Sequence, residues 1–385
     1  HDTAPPPRTS CTLLSLLQLT LLMRHLFPIL ALALASLNLT SCSTEPDFSG
    51  DPYKNYDQLW ELLDRHYCYF DLKLPQGTSW RDLYHKHRKD LRPKMTTDSL
   101  FLVMTELLAE LKDGHVNLSS TFDYGRYWGW KEEEPRSFDT NLIDDYLGKD
   151  YHIAGGISYR QLPELEGIQR KIPIGYMRVS SFNSSISDSN ISAAMNRLKG
   201  CLGLIIDIRN NGGGQVSTSD RLAQHFIRER RHIGYISHKT GPAHDAFSEK
   251  KAVWIEPLNT GTIWLKPTIV LTNQGVYSAA NDFTLRMKGL RQVRVVGWKT
   301  GGGGGLPMSS ELPNGWGVRF SASRTYDASG KDIEFGIDPD YVVRGEINRE
   351  DKTDRYIEVS AALLTRWIEQ ILQKQEEKKP KPPTN

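Results

Sequence analysis

The chain has 385 residues, 38% of them hydrophobic and 24% charged, the balance of a soluble globular protein long enough for two domains or for one large domain with a smaller attachment. A formal net charge of +2 gives no reason to expect nucleic acid or an anionic membrane surface as a partner. HExxH, paired CxxC and P-loop signatures are missing from the sequence, so no motif calls for a metal or nucleotide, and no cofactor is expected.

From Met23 the chain reads "MRHLFPILALALASLNLTSC": an early arginine, an apolar run from Leu26, small residues, then Cys42. The run is short for a bilayer span and has the anatomy of a secretory signal. "LTSC" resembles the bacterial lipobox, in which the cysteine is lipidated after cleavage; a plain secretory signal with an incidental cysteine is the alternative. On the lipobox reading, residues 1–22 are a spurious upstream extension, 23–41 a lipoprotein signal peptide, and 42–54 a flexible tether. Cys42 then carries the lipid, the only membrane contact expected, and the protein sits in the bacterial cell envelope, facing the periplasm or the outer surface. Of the four cysteines, Cys68 and Cys201 lie outside this leader in apolar settings and read as buried thiols.

Residues 55–118 carry helical periodicity. "YDQLWELLDRHYCYF" sets Tyr56, Leu59, Trp60 and Leu63 on one face, and "SLFLVMTELLAELKDG" does so more strongly before stopping at Gly114, a helix-ending signal. His115 follows, then a short strand "VNLSS". Residues 119–171 read as an irregular connecting segment with room for a hairpin or two, too short for an independent inserted domain. From Ile172 to about residue 350 strands and helices alternate. "IPIGYMRVSSF", "CLGLIIDIRNN", "PTIVLTN", "RQVRVVG" and "WGVRFSASR" read as strands, with helices at "SDSNISAAMNRLKG", "QVSTSDRLAQHFI" and "SAANDFTLRMKGL". This is the grammar of an α/β core with a mostly parallel, buried sheet, preceded by a small helical domain. Residues 351–385 give an amphipathic helix and a polar tail.

Ser278, in "TNQGVYSAANDF", stands between a strand and a helix. It reads either as a capping serine or as a nucleophile at the positive end of the helix dipole, with the Ala279 N–H facing a developing oxyanion. A nucleophilic serine needs a base, usually histidine. His115 lies just past a helix end, where loops present functional groups, although a structural histidine fits the position too. Gly212–Gly214 after "LIIDIRNN" suit a plain turn, a phosphate loop or an oxyanion loop. The glycines 301–305 lead into a strand, not a helix, which excludes a phosphate loop; a wall lying close to a bound peptide and a mobile loop both fit.

Taken in order, "ELLAELKDGHVNL", "IPIGYMRVSSF", "IIDIRNNGGG", "TNQGVYSAANDF", "VVGWKTGGGGG" and "IEFGIDPDYVV" resemble the tail-specific, C-terminal processing serine peptidase family. The resemblance covers roughly residues 55–345 and implies a crotonase/Clp protease-like core. It places the nucleophile on Ser278, and an oxyanion hole on the N–H groups of Gly213 and Ala279. In the Ser–Lys branch the base is a lysine; here Gly303 stands at its place, and Lys299 is four residues early. The tricorn-core and retinoid-binding-protein-like branch matches better, with His115 as base and Glu334 as the group that orients it. That branch carries a serine before the histidine, whereas this chain has Gly114, so the link between Glu334 and His115 is open. The segment 119–171 is too short for the PDZ module of many relatives, and "YWGW" with the glycine run are candidate groove walls.

The resemblance thus implies a serine peptidase acting on peptides or proteins through an acyl-enzyme at Ser278. The alternative is a non-catalytic lipoprotein that binds peptides or apolar ligands on the same scaffold. Oligomeric state is not legible.

Overall fold

A computed structural model describes residues 48–132, 136–164 and 169–378. The upstream extension, the signal segment, Cys42, the first residues of the tether and the end of the tail lie outside them.

Helix α1 (Pro52–His66) starts where Asp51 accepts the N–H groups of Tyr53 and Lys54, and Pro52 occupies a position whose N–H needs no partner. It buries Tyr56, Leu59 and Leu63. A single turn, α2 (Phe70–Lys73), follows, then α3 (Trp80–Arg88), opened by a Ser79–Asp82 capping box, and α4 (Thr97–Ala109), capped by Thr96. Strand β1 (Asn117–Ser119) and β2 (Tyr124–Arg126) form a hairpin. The stretch expected to be irregular also holds α5 (Thr140–Leu147) and a second hairpin, β3 (His152–Ala154) with β4 (Ile157–Gln161). Asp139 caps α5, and the helix has only two turns, too short for its periodicity to stand out.

The alternating region runs β5 (Ile174–Val179), α6 (Asp188–Arg197), β6 (Gly203–Asp207), α7 (Val216–Gln224), β7 (Arg231–His238) and β8 (Lys251–Ile255). It continues β9 (Thr268–Thr272), α8 (Ala279–Met287), β10 (Val293–Gly297), β11 (Leu306–Glu311), β12 (Gly317–Asp327), β13 (Tyr341–Val342) and α9 (Arg355–Glu377).

Among the described residues two sheets form. One has seven strands in the order β13-β10-β9-β6-β5-β4-β3. From β13 to β5 neighbouring strands are parallel, and the β3–β4 hairpin continues the sheet antiparallel. Every residue of β5, β6 and β9 is buried, because α6, α7 and α8 cover one face and α5 and α9 the other. Each large apolar side chain so enclosed contributes roughly 1.5–3 kcal/mol. The second sheet is antiparallel, β2-β1-β12-β7-β8 with β11 also on β12. It shares a core with the opening helices through Leu107, Trp316, Val318 and Phe320. From Gly50 onward the described residues accordingly form one compact unit. Cys68 and Cys201 are buried free thiols, and no helix among the described residues is long and apolar enough to cross a membrane.

This topology decides where a site can form. The chain leaves the carboxyl ends of β6, β9 and β10 through three loops, the glycine turn, the Ser278 turn and the glycine run, and clefts at such ends are where open α/β sheets place ligands. His115 arrives from the other sheet, between α4 and β1.

Candidate active site

Ser278 occupies the N-cap position of α8 but caps nothing: its side chain accepts no bond from the helix. Its backbone is held at φ 58°, ψ −123°, a region that costs a non-glycine residue about 1–3 kcal/mol and persists only when neighbours enforce it. Three backbone bonds do so: Tyr277 N to Asn211 O (3.0 Å), Ser278 N to Gly302 O (2.9 Å) and Asp282 N to Ser278 O (2.9 Å). The sharp strand-to-helix turn throws the hydroxyl outward, where it meets His115 Nε2 at 2.9 Å.

His115 is buried, and its ring lies against the Tyr277 ring with centroids 5.0 Å apart. Burial lowers its pKa to about 4, opposed by the charge of Asp113 and reinforced by Arg319, Arg126 and Lys73. The imidazole is therefore neutral at physiological pH and free to accept a proton. Its Nδ1 has no hydrogen-bond partner among the described residues. Gly114 does not end α4, which stops at Ala109. What it provides is room: a Cβ there would lie 2.5 Å from Trp130 Nε1, and Trp130 is stacked on Tyr277 at 4.0 Å. A serine before the histidine has no space in this chain.

Glu334 is buried and forms an ion pair with Lys73, whose Nζ lies 2.7 Å from Oε1. No hydrogen bond joins it to His115 among the described residues. Burial first, then the charge of Asp113, pushes its carboxyl well above the usual range despite Lys73. Burial alone would depress Lys73, but the contact with Glu334 and the charges of Glu334, Asp113 and Asp332 together outweigh it and hold the ammonium above its ordinary value. The carboxylate left with an open link to the imidazole is thus paired with a lysine that sequence reasoning passed over; Lys73 sits in a one-turn helix far from every motif. Asp113 was also missed, although it stands in the same "KDGHV" stretch.

Gly213 packs against the serine, its position such that a Cβ would lie 2.8 Å from Ser278 Cβ and 2.9 Å from Ala279 N. Its own N–H, however, donates to Asn211 Oδ1 at 2.9 Å, so an oxyanion would have to share that donor. The glycine run is stitched down rather than loose: Gly301 N donates to Val276 O and Gly303 N to Glu334 O. A Cβ on Gly302 would fall 1.9 Å from Glu334 O. The run thereby fixes the serine turn to the Glu334 segment. Gly303, Gly304 and Gly305 border a cavity of about 290 Å³ that Ser278 opens into, with Val216, Ile236, Val253 and Leu306 as apolar walls. Tyr127 and Trp130 of "YWGW" line a different cavity, of about 280 Å³, with Lys73 and Glu334 and without Ser278, because Trp130 is committed to Tyr277. Lys299 is partly exposed and faces Asp338 at 4.0 Å.

A strained serine at the carboxyl end of a parallel sheet, bonded to a buried neutral imidazole, is the arrangement used by serine-type acyl-transfer hydrolases. Residues 173–343 match the model of Peptidase family S41, and residues 51–109 that of the Tricorn protease C1 domain. A solved structure of a candidate peptidase from Parabacteroides merdae ATCC 43184 is 43% identical, covers 82% of this chain and 97% of its own, and superposes with a TM-score of 0.74. The chloroplastic C-terminal processing peptidase of Tetradesmus obliquus is 28% identical over 179 residues, 46% of this chain and 36% of its own length. Carboxy-terminal processing protease CtpA of Bacillus subtilis (strain 168) is 27% identical over 169 residues, 43% and 34%. The chain therefore spans little more than a third of these two curated relatives. It belongs to peptidase family S41.

Proposed function

We propose that the protein is an envelope-anchored serine peptidase that hydrolyses peptide bonds through an acyl-enzyme at Ser278. His115 takes the hydroxyl proton as general base and returns it to the leaving amine. The Ala279 N–H, with Gly213 beside it, faces the tetrahedral oxyanion. Glu334 acts within the buried charge cluster behind the imidazole. The observation that carries this reading is the 2.9 Å contact between His115 Nε2 and Ser278 Oγ in a turn where the serine has no capping duty. The apolar cavity at Ser278 suits an apolar substrate side chain next to the scissile bond.

The test is incubation with a diverse peptide mixture, read by mass spectrometry beside Ser278→Ala. Cuts made by the wild type alone, clustered at apolar residues, support the reading. If two folded proteins leave the mixture intact across pH, the binding role on the same scaffold becomes the better account. The lipid anchor has its own test. Radiolabelled palmitate should enter the wild type and not Cys42→Ala; equal labelling, or none in the wild type, ends that part of the proposal.

A further inference from the structure

We propose that Asp113, rather than Glu334, is the anion that positions His115 and offsets the charge the imidazole acquires during reaction. Its catalytic consequence rests on the serine-peptidase reading. Asp113 is fully buried, and the groups touching its carboxylate are all able to donate. Oδ1 accepts the backbone N–H of His115 at 2.7 Å and the Tyr277 hydroxyl at 3.4 Å. Oδ2 accepts the Tyr67 hydroxyl at 2.8 Å and the Ser321 hydroxyl at 3.4 Å. One carboxylate thus holds the backbone of the base and the side chain immediately before the nucleophile, and it anchors both to Tyr67 past the end of α1 and to Ser321 on β12.

Glu334 is placed differently. It faces Lys73 at 2.7 Å, and burial pushes its carboxyl towards the protonated form, which weakens it as a counter-charge to the imidazole. The cations around His115 are Arg126 from β2, Arg319 from β12 and Lys73 from α2, and all disfavour imidazolium. Tyr67, Tyr277 and Cys68 face the same space without charge, burial holding each in its protonated form. Asp113 supplies the largest charge that favours imidazolium there. It makes no bond to Nδ1, so it works through its field and through the backbone, as a positioning residue.

The experiment uses the intact protein with ¹⁵N-labelled histidine and follows the His115 imidazole by NMR from pH 8 to pH 4, alongside peptide hydrolysis. The wild-type ring should begin to titrate as pH approaches about 4. In Asp113→Asn, removal of the favourable anion should leave the ring neutral to the end of the range. In Glu334→Gln the titration should stay in place. For hydrolysis, Asp113→Asn should lower kcat at least about 100-fold with KM within about twofold, and Glu334→Gln should cost less than about tenfold. Tyr67→Phe removes one bond to Asp113 and should move kcat the same way by less, which keeps the test open if Asp113→Asn does not fold. A His115 titration that shifts in Glu334→Gln and not in Asp113→Asn or Tyr67→Phe overturns the proposal. The titration needs no turnover, so it decides the role of Asp113 even for a protein that cuts no peptide, which would count against the peptidase reading alone.

Discussion

Alanine at Ser278 or at His115 should each lower kcat by about 10⁶-fold, and the double variant should lose little more. The two side chains act as one unit: without the base the hydroxyl keeps its proton, and without the hydroxyl the base has nothing to activate. Near-equal single losses and a non-additive double are what a 2.9 Å Nε2–Oγ pair dictates. Losses that add would mean that the residues contribute separately, through binding or folding. Steady-state kinetics of the three variants on one peptide measures this, with circular dichroism to show that each is folded. The pH profile carries a second sign. The pKa of His115 lies at about 4 because burial disfavours its charge, so kcat/KM should rise as pH climbs through about 4 and then stay level to neutrality. The unfolded chain, with an ordinary imidazole near 6.5, binds that proton first. This contribution to stability is present above pH 6.5 and is lost progressively as pH falls towards 4.

The parallel sheet was legible because β5, β6 and β9 carry short apolar runs bounded by turn signals, as strands covered on both faces do. Ser278, His115 and the "RNNGGG" turn each left more than one reading open locally, and the resemblance to the peptidase family singled them out. Of the second sheet only "VNLSS" and "WGVRFSASR", β1 and β12, were read as strands, and their pairing was not legible. Its strands β7 and β8 mix buried and exposed positions without clean alternation, and β1 is only three residues long. Lys73 and Asp113 carry no pattern because their roles arise from contacts distant in sequence, Glu334 for the first, Tyr67, Tyr277 and Ser321 for the second. The resemblance supplied Glu334 but not its partner. Gly114 read as a helix stop since glycine is the common signal there, whereas the structure uses it to admit Trp130. Local sequence reports what a residue does to its own element and is silent on what packs against it.

Arg209→Leu should destabilise the fold by about 3–5 kcal/mol, seen as a lower urea midpoint. Arg209 stands in "DIRNNGGG", just beyond β6, and is fully buried. Its guanidinium reaches Asp207 Oδ2 at 2.6 Å, Asp354 Oδ2 at 2.9 Å and Ser137 O at 2.7 Å. Asp354 in turn accepts the N–H groups of Tyr356 and Ile357 and starts α9, while Asp207 also accepts the Tyr176 hydroxyl at 2.8 Å. Leucine would fill much of the volume but strip Asp354 of its cation and leave Asp207 with only the longer contact to Arg178 at 3.8 Å, and that under-compensated charge is the main cost. Arg209→Lys keeps the charge and loses the fork that spans both carboxylates, so it should cost clearly less. The loss should also reach the site. The next residues, Asn210 and Asn211, hold Asn273 and Gly213 through their amides, so a loosened Arg209 frees the turn beside Ser278. Activity of Arg209→Lys measured well below its unfolding midpoint separates the two effects: a drop in kcat there means that the buried ion cluster holds the glycine turn in register, and full activity means that it only holds the sheet to α9.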